Sequence, residues 1–214
     1  MKYQAILFDL DGTLLDTLDD LHDAVNHTLC AFSLPLRTKE ETRLAVGDGV
    51  GMLIARSVPS GEAHPEFAEI LSAFRQYYAA NSRRKTKPYE GIPSLLTALR
   101  EKGLRVGVIS NKFDSAVKAL CRDYFGNLVE IAVGESKGVR RKPYPDSLFA
   151  AMASLGVSPD QCLYVGDSET DVRSAENAGI PCLSVLWGFR DKETLLAAGA
   201  TQFAKTPGDV LDMI

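Results

Sequence analysis

Five short apolar runs, each bounded by turn residues, punctuate this chain: Ala5-Ile6-Leu7-Phe8, Val106-Gly107-Val108-Ile109, Val129-Glu130-Ile131-Ala132-Val133, Cys162-Leu163-Tyr164-Val165 and Leu183-Ser184-Val185-Leu186. They are nearly continuous in hydrophobicity rather than alternating, which is the pattern of strands covered on both faces. Helical stretches lie between them, over 92–102, 115–122, 146–155 and 170–178. Gly103, Gly156 and Gly179 follow three of these, each at a frequent helix stop. Strand and helix in alternation predict an α/β fold, a doubly wound parallel sheet with a Rossmann-like core.

Residues 16–82 break that rhythm. They hold no convincing strand and at least three helical patterns. Leu18, Leu21, Val25 and Leu29 share one helical face, as do Phe67, Ile70, Leu71 and Phe74. Thr38 followed by Glu41 fits a capping box opening another helix. The simplest organisation is a core made of 1–15 and 83–214 with a helical module, 16–82, inserted after the first strand.

With 214 residues, 45% hydrophobic and 24% charged, the chain can bury a substantial core. That balance excludes a disordered segment, a collagen-like fibre or a disulfide miniprotein. A net charge of -4 gives no electrostatic case for nucleic acid or an anionic membrane as partner. No apolar run approaches the ~20 residues of a membrane helix. The apolar stretch before Asp9 is too short for a signal peptide. Cys30, Cys121, Cys162 and Cys182 have neither zinc nor disulfide spacing and are expected to be small buried hydrophobes in a reducing compartment. The expected location is cytoplasmic.

Asp9-Leu10-Asp11-Gly12-Thr13 sits just past the first apolar run. In an open α/β sheet, loops at the carboxyl ends of strands form the ligand crevice. Two carboxylates two residues apart, backed by the amides of Gly12 and Thr13, suit a metal and a phosphate together. Such a segment alone can be a turn whose aspartates cap a helix. Three further segments weaken that reading: Ser110-Asn111-Lys112, Arg141-Lys142-Pro143 and Gly166-Asp167-Ser168-Glu169-Thr170-Asp171. Each has an ordinary explanation, as a helix cap, a surface charge or a strand-end turn. Four in order, each at a strand end, argue against coincidence.

These four segments, with Asp9 to Thr17 (DLDGTLLDT), Gly47-Asp48-Gly49 and Lys142-Pro143-Tyr144-Pro145-Asp146, resemble the haloacid dehalogenase superfamily over the whole chain. Within it the sequence is most similar to phosphoglycolate phosphatases. The resemblance implies that 16–82 is a helical cap and that Asp9 is a nucleophile forming an aspartyl-phosphate, splitting one hard displacement into two easier ones. Asp11 would act as general acid toward the leaving alcohol, a role that needs a carboxylic proton, and then as base for water. Mg²⁺ would be held by the carboxylates of Asp9 and Asp167 and the backbone carbonyl of Asp11, with Asp171 ordering its water. Gly12, Thr13, Ser110 and Asn111 would bind phosphoryl oxygens, and Lys142 would neutralise charge on the transferring group.

In the cap, Gly47, Asp48 and Gly49 are either a flexible helix-helix turn or a specificity loop. Arg56 and Lys112 are candidates to pair with a substrate carboxylate, although Arg56 reads first as an exposed helix charge. His22 and His27 are expected to be surface or packing residues and Trp187 to pack, with no catalytic role for any of them. The implied partner is a small phosphorylated metabolite, 2-phosphoglycolate first, acted on by a monomer or homodimer. Rivals are an inorganic pyrophosphatase, a β-phosphoglucomutase-like enzyme, an Asp-phosphorylated signalling switch and a silent scaffold.

Overall fold

The computed structural model describes residues 2–214 and divides into two compact units. One comprises the residues up to Leu15 together with Pro88–Ile214; the other is Asp16–Lys87. In chain order the strands are β1 (Ala5–Phe8), β2 (Leu15–Asp16), β3 (Lys87–Pro88), β4 (Arg105–Phe113), β5 (Ile131–Glu135), β6 (Cys162–Gly166), β7 (Cys182–Val185) and β8 (Phe203–Ala204). The helices are α1 (Leu18–Ala31), α2 (Lys39–Ala45), α3 (Val50–Ser57), α4 (Phe67–Asn81), α5 (Ile92–Glu101), α6 (Asp114–Phe125), α7 (Asp146–Leu155), α8 (Glu169–Ala178), α9 (Lys192–Ala197) and α10 (Pro207–Asp212).

Six strands of the first unit form one sheet in the order β5-β4-β1-β6-β7-β8, every neighbouring pair parallel. The chain is therefore the parallel, helix-layered α/β fold that the continuous apolar runs imply. Its central strand, β1, places Ala5 opposite both Arg105 and Cys162, and Phe8 opposite both Val108 and Val165. Ile6 and Phe8 face a core with Leu95, Leu96, Val117 and Leu120, whereas Ala5 and Leu7 face Leu148, Met152 and Ala175 on the other side. Side chains alternate between faces with a period of two, but both faces are covered, so the pattern reads as unbroken. Burying each of the larger side chains contributes about 1.5–3 kcal/mol.

Some expected boundaries move. β4 continues past Ile109 to Phe113, its register against β5 shifting between those residues, so Ser110, Asn111 and Lys112 are buried inside the strand rather than following it. β5 begins at Ile131, and the Glu130 carboxylate before it pairs with Arg100 and Arg105. β8 is a two-residue edge strand, too short to carry a hydrophobic pattern. Gly156 and Gly179 end α7 and α8 in left-handed conformations, as expected for helix stops.

The second unit is helical. Leu18, Leu21, Val25 and Leu29 of α1 are all buried, and α4 buries Ile70, Phe74 and Tyr78, leaving Phe67 and Leu71 half-buried. Thr38 and Glu41 make the reciprocal capping box that opens α2. The buried carboxylate of Asp20 accepts from the amides of Lys85 and Thr86 and from the Thr86 hydroxyl at 2.8–3.1 Å, tying the two ends of this unit together. Cys121 and Cys162 are buried and Cys182 is half-buried, but Cys30 is exposed, contrary to expectation; it lies off the apolar stripe of α1. Among the described residues no helix is long and apolar enough to cross a membrane.

Candidate active site

β1 ends at Phe8, yet the Asp9 amide still donates to the Val165 carbonyl at 2.9 Å. The first carboxylate of the DxDGT segment is thereby held at the carboxyl edge of the sheet, 7% exposed. The chain then folds back on the Leu10 carbonyl, which accepts from the amides of Leu14 and Leu15 at 3.0 and 2.9 Å. Gly12 completes the turn with φ at +92°, where a Cβ would be strained and would also overlap the Asp167 carboxylate.

The Lys142 ammonium is not a surface charge but is buried among partners distant in sequence. Its Nζ donates to Asp9 Oδ1 and Asp171 Oδ1, each at 2.7 Å, and to the Tyr164 hydroxyl at 3.1 Å. Tyr164 in turn donates to Asp171 Oδ1 at 2.9 Å. Lys142 is set in place by Asn111, whose side chain accepts from the Lys142 amide at 2.8 Å and donates to the Lys142 carbonyl at 3.2 Å. Asn111 thus acts on the loop that carries the lysine. The other oxygen of Asp171 accepts from the amide and hydroxyl of Ser168 at 3.0 and 2.6 Å, in the capping box that starts α8.

Asp167, 1% exposed, is gripped at both oxygens. Oδ1 accepts from the Thr13 hydroxyl at 2.9 Å, and Oδ2 from the Phe189 amide at 2.7 Å. Asp11 stands slightly apart, its two oxygens each 3.0 Å from Lys112 Nζ. Lys112, considered above for a substrate carboxylate, is here the ion-pair partner of Asp11, and its amide donates to Ser110 Oγ at 3.2 Å.

The helical-unit candidates form a separate arrangement. Gly49 caps α3 with φ at +85°, and Arg56 pairs with Asp48 while donating to the Ala45 carbonyl at 3.0 Å. Arg56 is thus exposed on α3, as an ordinary helix charge would be, and also closes its own loop over Gly47 to Gly49.

Burial pushes the Asp9 carboxyl well above its ordinary value; the Lys142 ammonium opposes this, and Asp171 and Asp167 add to it. Burial, reinforced by Asp171, raises Asp167 to about 7. For Lys142 burial alone would lower proton affinity, but the carboxylates of Asp171 and Asp9 outweigh it and raise it. Asp167 thus holds its proton to about 7 in the folded chain against 3.8 ordinarily, so the folded state binds more protons between those values. Its contribution to stability is present at the acidic end and is lost as pH rises through that window. The melting temperature of metal-free protein is expected to fall from about pH 4 to about pH 7, with a shallower slope in Asp167→Asn; identical slopes would contradict this.

Asp9 and Asp171 flank one ammonium, and Asp167 lies beside them in the same buried place. One ligand oxygen from each of Asp9, Asp167 and Asp171 lies within 4.8 Å of the others. Gly12 and Gly188 flank the Asp167 carboxylate where any Cβ would overlap it. An all-oxygen donor set of this kind can hold a hard divalent cation. Each Asp171 oxygen already takes two donors, Lys142 and Tyr164 on one and the amide and hydroxyl of Ser168 on the other, whereas each Asp167 oxygen takes one, which leaves Asp9 and Asp167 as the better placed ligands.

Sequence reading did not single out Tyr164, Gly188 or Phe189 for this site, and assigned Trp187 to packing alone. A tyrosine in an otherwise aliphatic central strand was a usable signal, because a buried phenol needs a hydrogen-bond partner. The Phe189 contact is made by backbone and had none.

The sequence profile of the haloacid dehalogenase-like hydrolases matches residues 6–185. The phosphoglycolate phosphatase of Rhodospirillum rubrum is 36% identical over 205 residues, covering 92% of this chain and 85% of that one. The N-acetylmuramic acid 6-phosphate phosphatase of Pseudomonas aeruginosa is 32% identical over 220 residues, covering 100% and 96%. A crystal structure from Lactobacillus delbrueckii subsp. bulgaricus, assigned as a phosphoglycolate phosphatase, superposes with a TM-score of 0.95 at 34% identity, covering 100% of this chain and 99% of that one.

Proposed function

The chain belongs to the haloacid dehalogenase-like hydrolases and is a phosphatase of that family, and from this premise we propose that it hydrolyses a small phosphorylated metabolite, 2-phosphoglycolate first, through a phosphorylated Asp9. The observation that carries the reading is the buried constellation of Asp9, Lys142 and Asp171, with Asp167 beside it at the end of β6. An oxygen of Asp9 attacks phosphorus while the bond from phosphorus to the ester oxygen breaks, and Asp11 delivers its proton to the departing alkoxide. Asp11 then takes a proton from water, whose oxygen attacks phosphorus and displaces Asp9 as the free carboxylate. Lys142 steadies the charge that builds on the transferring group, and Asn111 holds Lys142 in place. We assign Mg²⁺ to Asp9, Asp167 and the Asp11 carbonyl, supported by Asp171; when bound it supplies charge neutralisation between a carboxylate nucleophile and an anionic phosphate.

The inserted helical unit is read as the cap, and four free cysteines fit an enzyme of the reducing cytoplasm. A second substrate, a sugar-acid phosphate, is favoured by the relative that matches this chain end to end. Phosphate release with Mg²⁺ from 2-phosphoglycolate, N-acetylmuramic acid 6-phosphate, pyrophosphate and β-glucose 1-phosphate separates these. The highest kcat/KM is expected for 2-phosphoglycolate, and a stronger preference for another compound would reassign the substrate. EDTA is expected to stop turnover and Mg²⁺ to restore it; undiminished hydrolysis in excess EDTA would remove the metal assignment.

Lys112→Met separates two roles. As the partner that orients Asp11, Lys112 should affect chemistry, so kcat is expected to fall about 10-fold with KM little changed. A rise in KM for 2-phosphoglycolate at constant kcat would instead mean that Lys112 binds the substrate carboxylate.

A further inference from the structure

The loop that follows β7, Leu186-Trp187-Gly188-Phe189-Arg190, carries no carboxylate and contributes no group to the reaction described above. Its position is nevertheless tightly determined by the site. The Trp187 indole Nε1 donates to the Thr13 carbonyl at 3.0 Å. Thr13 is the residue whose hydroxyl donates to Asp167 Oδ1 at 2.9 Å. Two residues on from the tryptophan, the Phe189 amide donates to Asp167 Oδ2 at 2.7 Å. Between them Gly188 lies so close that an added Cβ would overlap both the Asp167 side chain and the Gly12 carbonyl oxygen. Arg190, buried at the end of the loop, pairs with Glu169 at 2.9 Å, two residues beyond Asp167 in the chain.

The loop and the DxDGT turn therefore grip one carboxylate from opposite oxygens, and the Trp187 indole bonds one jaw to the other. Each oxygen of Asp167 gives one acceptor position to the protein and keeps its remaining lone pairs in a fixed direction. A carboxylate held this way presents a preset ligand, because outer partners of metal ligands set their orientation. We propose that Trp187, Gly188 and Phe189 form a positioning clamp that presets Asp167 for its divalent cation, Trp187 acting through Thr13 and Gly188 by leaving room for the carboxylate. The proposal rests on the metal reading of Asp167 above.

Isothermal titration calorimetry of Mg²⁺ into the full chain, paired with thermal melts in EDTA, tests it. Trp187→Phe keeps an aromatic ring and removes only the indole donor, whereas Gly188→Ala places a methyl against Asp167. Trp187→Phe is expected to weaken Mg²⁺ binding about 10-fold with the metal-free melting temperature unchanged. Gly188→Ala, where it folds, is expected to weaken binding further. Unchanged Mg²⁺ affinity in Trp187→Phe would overturn the clamp, and so would a loss of affinity matched by a loss of metal-free stability, which would mark a packing role. Asp167→Asn distinguishes this failure from that of the underlying reading. If the parent does not bind Mg²⁺, or Asp167→Asn still binds it equally well, the metal reading falls and the clamp with it. Binding that is lost in Asp167→Asn but retained in Trp187→Phe overturns the clamp alone.

Discussion

Asp9→Asn is expected to lower turnover by at least about four orders of magnitude, the scale seen when a covalent nucleophile is removed. The amide keeps an oxygen where Lys142 donates at 2.7 Å, so the hydrogen bond that places the lysine survives. What disappears is the anionic oxygen that attacks phosphorus. The fold should not suffer. Burial holds the Asp9 carboxyl well above its ordinary value, which means that its charged form is disfavoured in the folded chain. An uncharged isostere is therefore expected to melt no lower than the parent at neutral pH. Acid quenching during turnover should trap a phosphoryl adduct on the peptide containing Asp9 in the parent and none in the variant. Turnover near the parent rate would remove Asp9 from the nucleophile's role.

Lys142→Met should damage both activity and stability. Lys142 is 5% exposed, and its ammonium is the cation between Asp9 and Asp171, both buried. Its loss leaves two carboxylates facing each other without their shared donor, and breaking a buried pair from one side costs about 3–5 kcal/mol. For a chain of this length that corresponds to a drop of about 6–20 °C in melting temperature. Losing the positive charge at the transferring group should reduce kcat by about 10²–10³-fold. The stability deficit should shrink as pH falls, because protonating Asp9, whose carboxyl burial already holds above its ordinary value, relieves the repulsion. A variant with parental melting temperature and parental kcat would refute the electrostatic role.

The sheet was readable because strands covered on both faces leave a continuous apolar record, as Ala5–Phe8 and Cys162–Gly166 do. The polar end of β4 was not, because Asn111 and Lys112 are satisfied inside the protein by partners that lie far away in sequence. Asn111 meets the backbone of Lys142, and Lys112 meets Asp11, at separations of 31 and 101 residues. The same limit applies within the site. Its polar segments were visible as segments at strand ends, but local spacing does not encode that Lys142 reaches Asp9 across 133 residues. Nor does it encode that Arg56 folds onto its own loop. Contacts made by backbone, such as the Phe189 amide on Asp167, leave no residue-type signature at all.

The sheet order also bears on how the protein is made. Of the eight strands described here, β1 leaves the ribosome before the others, yet its two neighbours are β4 and β6. The second of these is complete only at Gly166. At about 5–20 residues per second, the apolar segment Ala5–Phe8 waits roughly 8–30 s for its full set of partners. The helical insertion, whose contacts are local, can fold during that interval. A nascent chain of this kind exposes its most hydrophobic strand longest, so aggregation should be most sensitive to anything that slows synthesis between the insertion and β6.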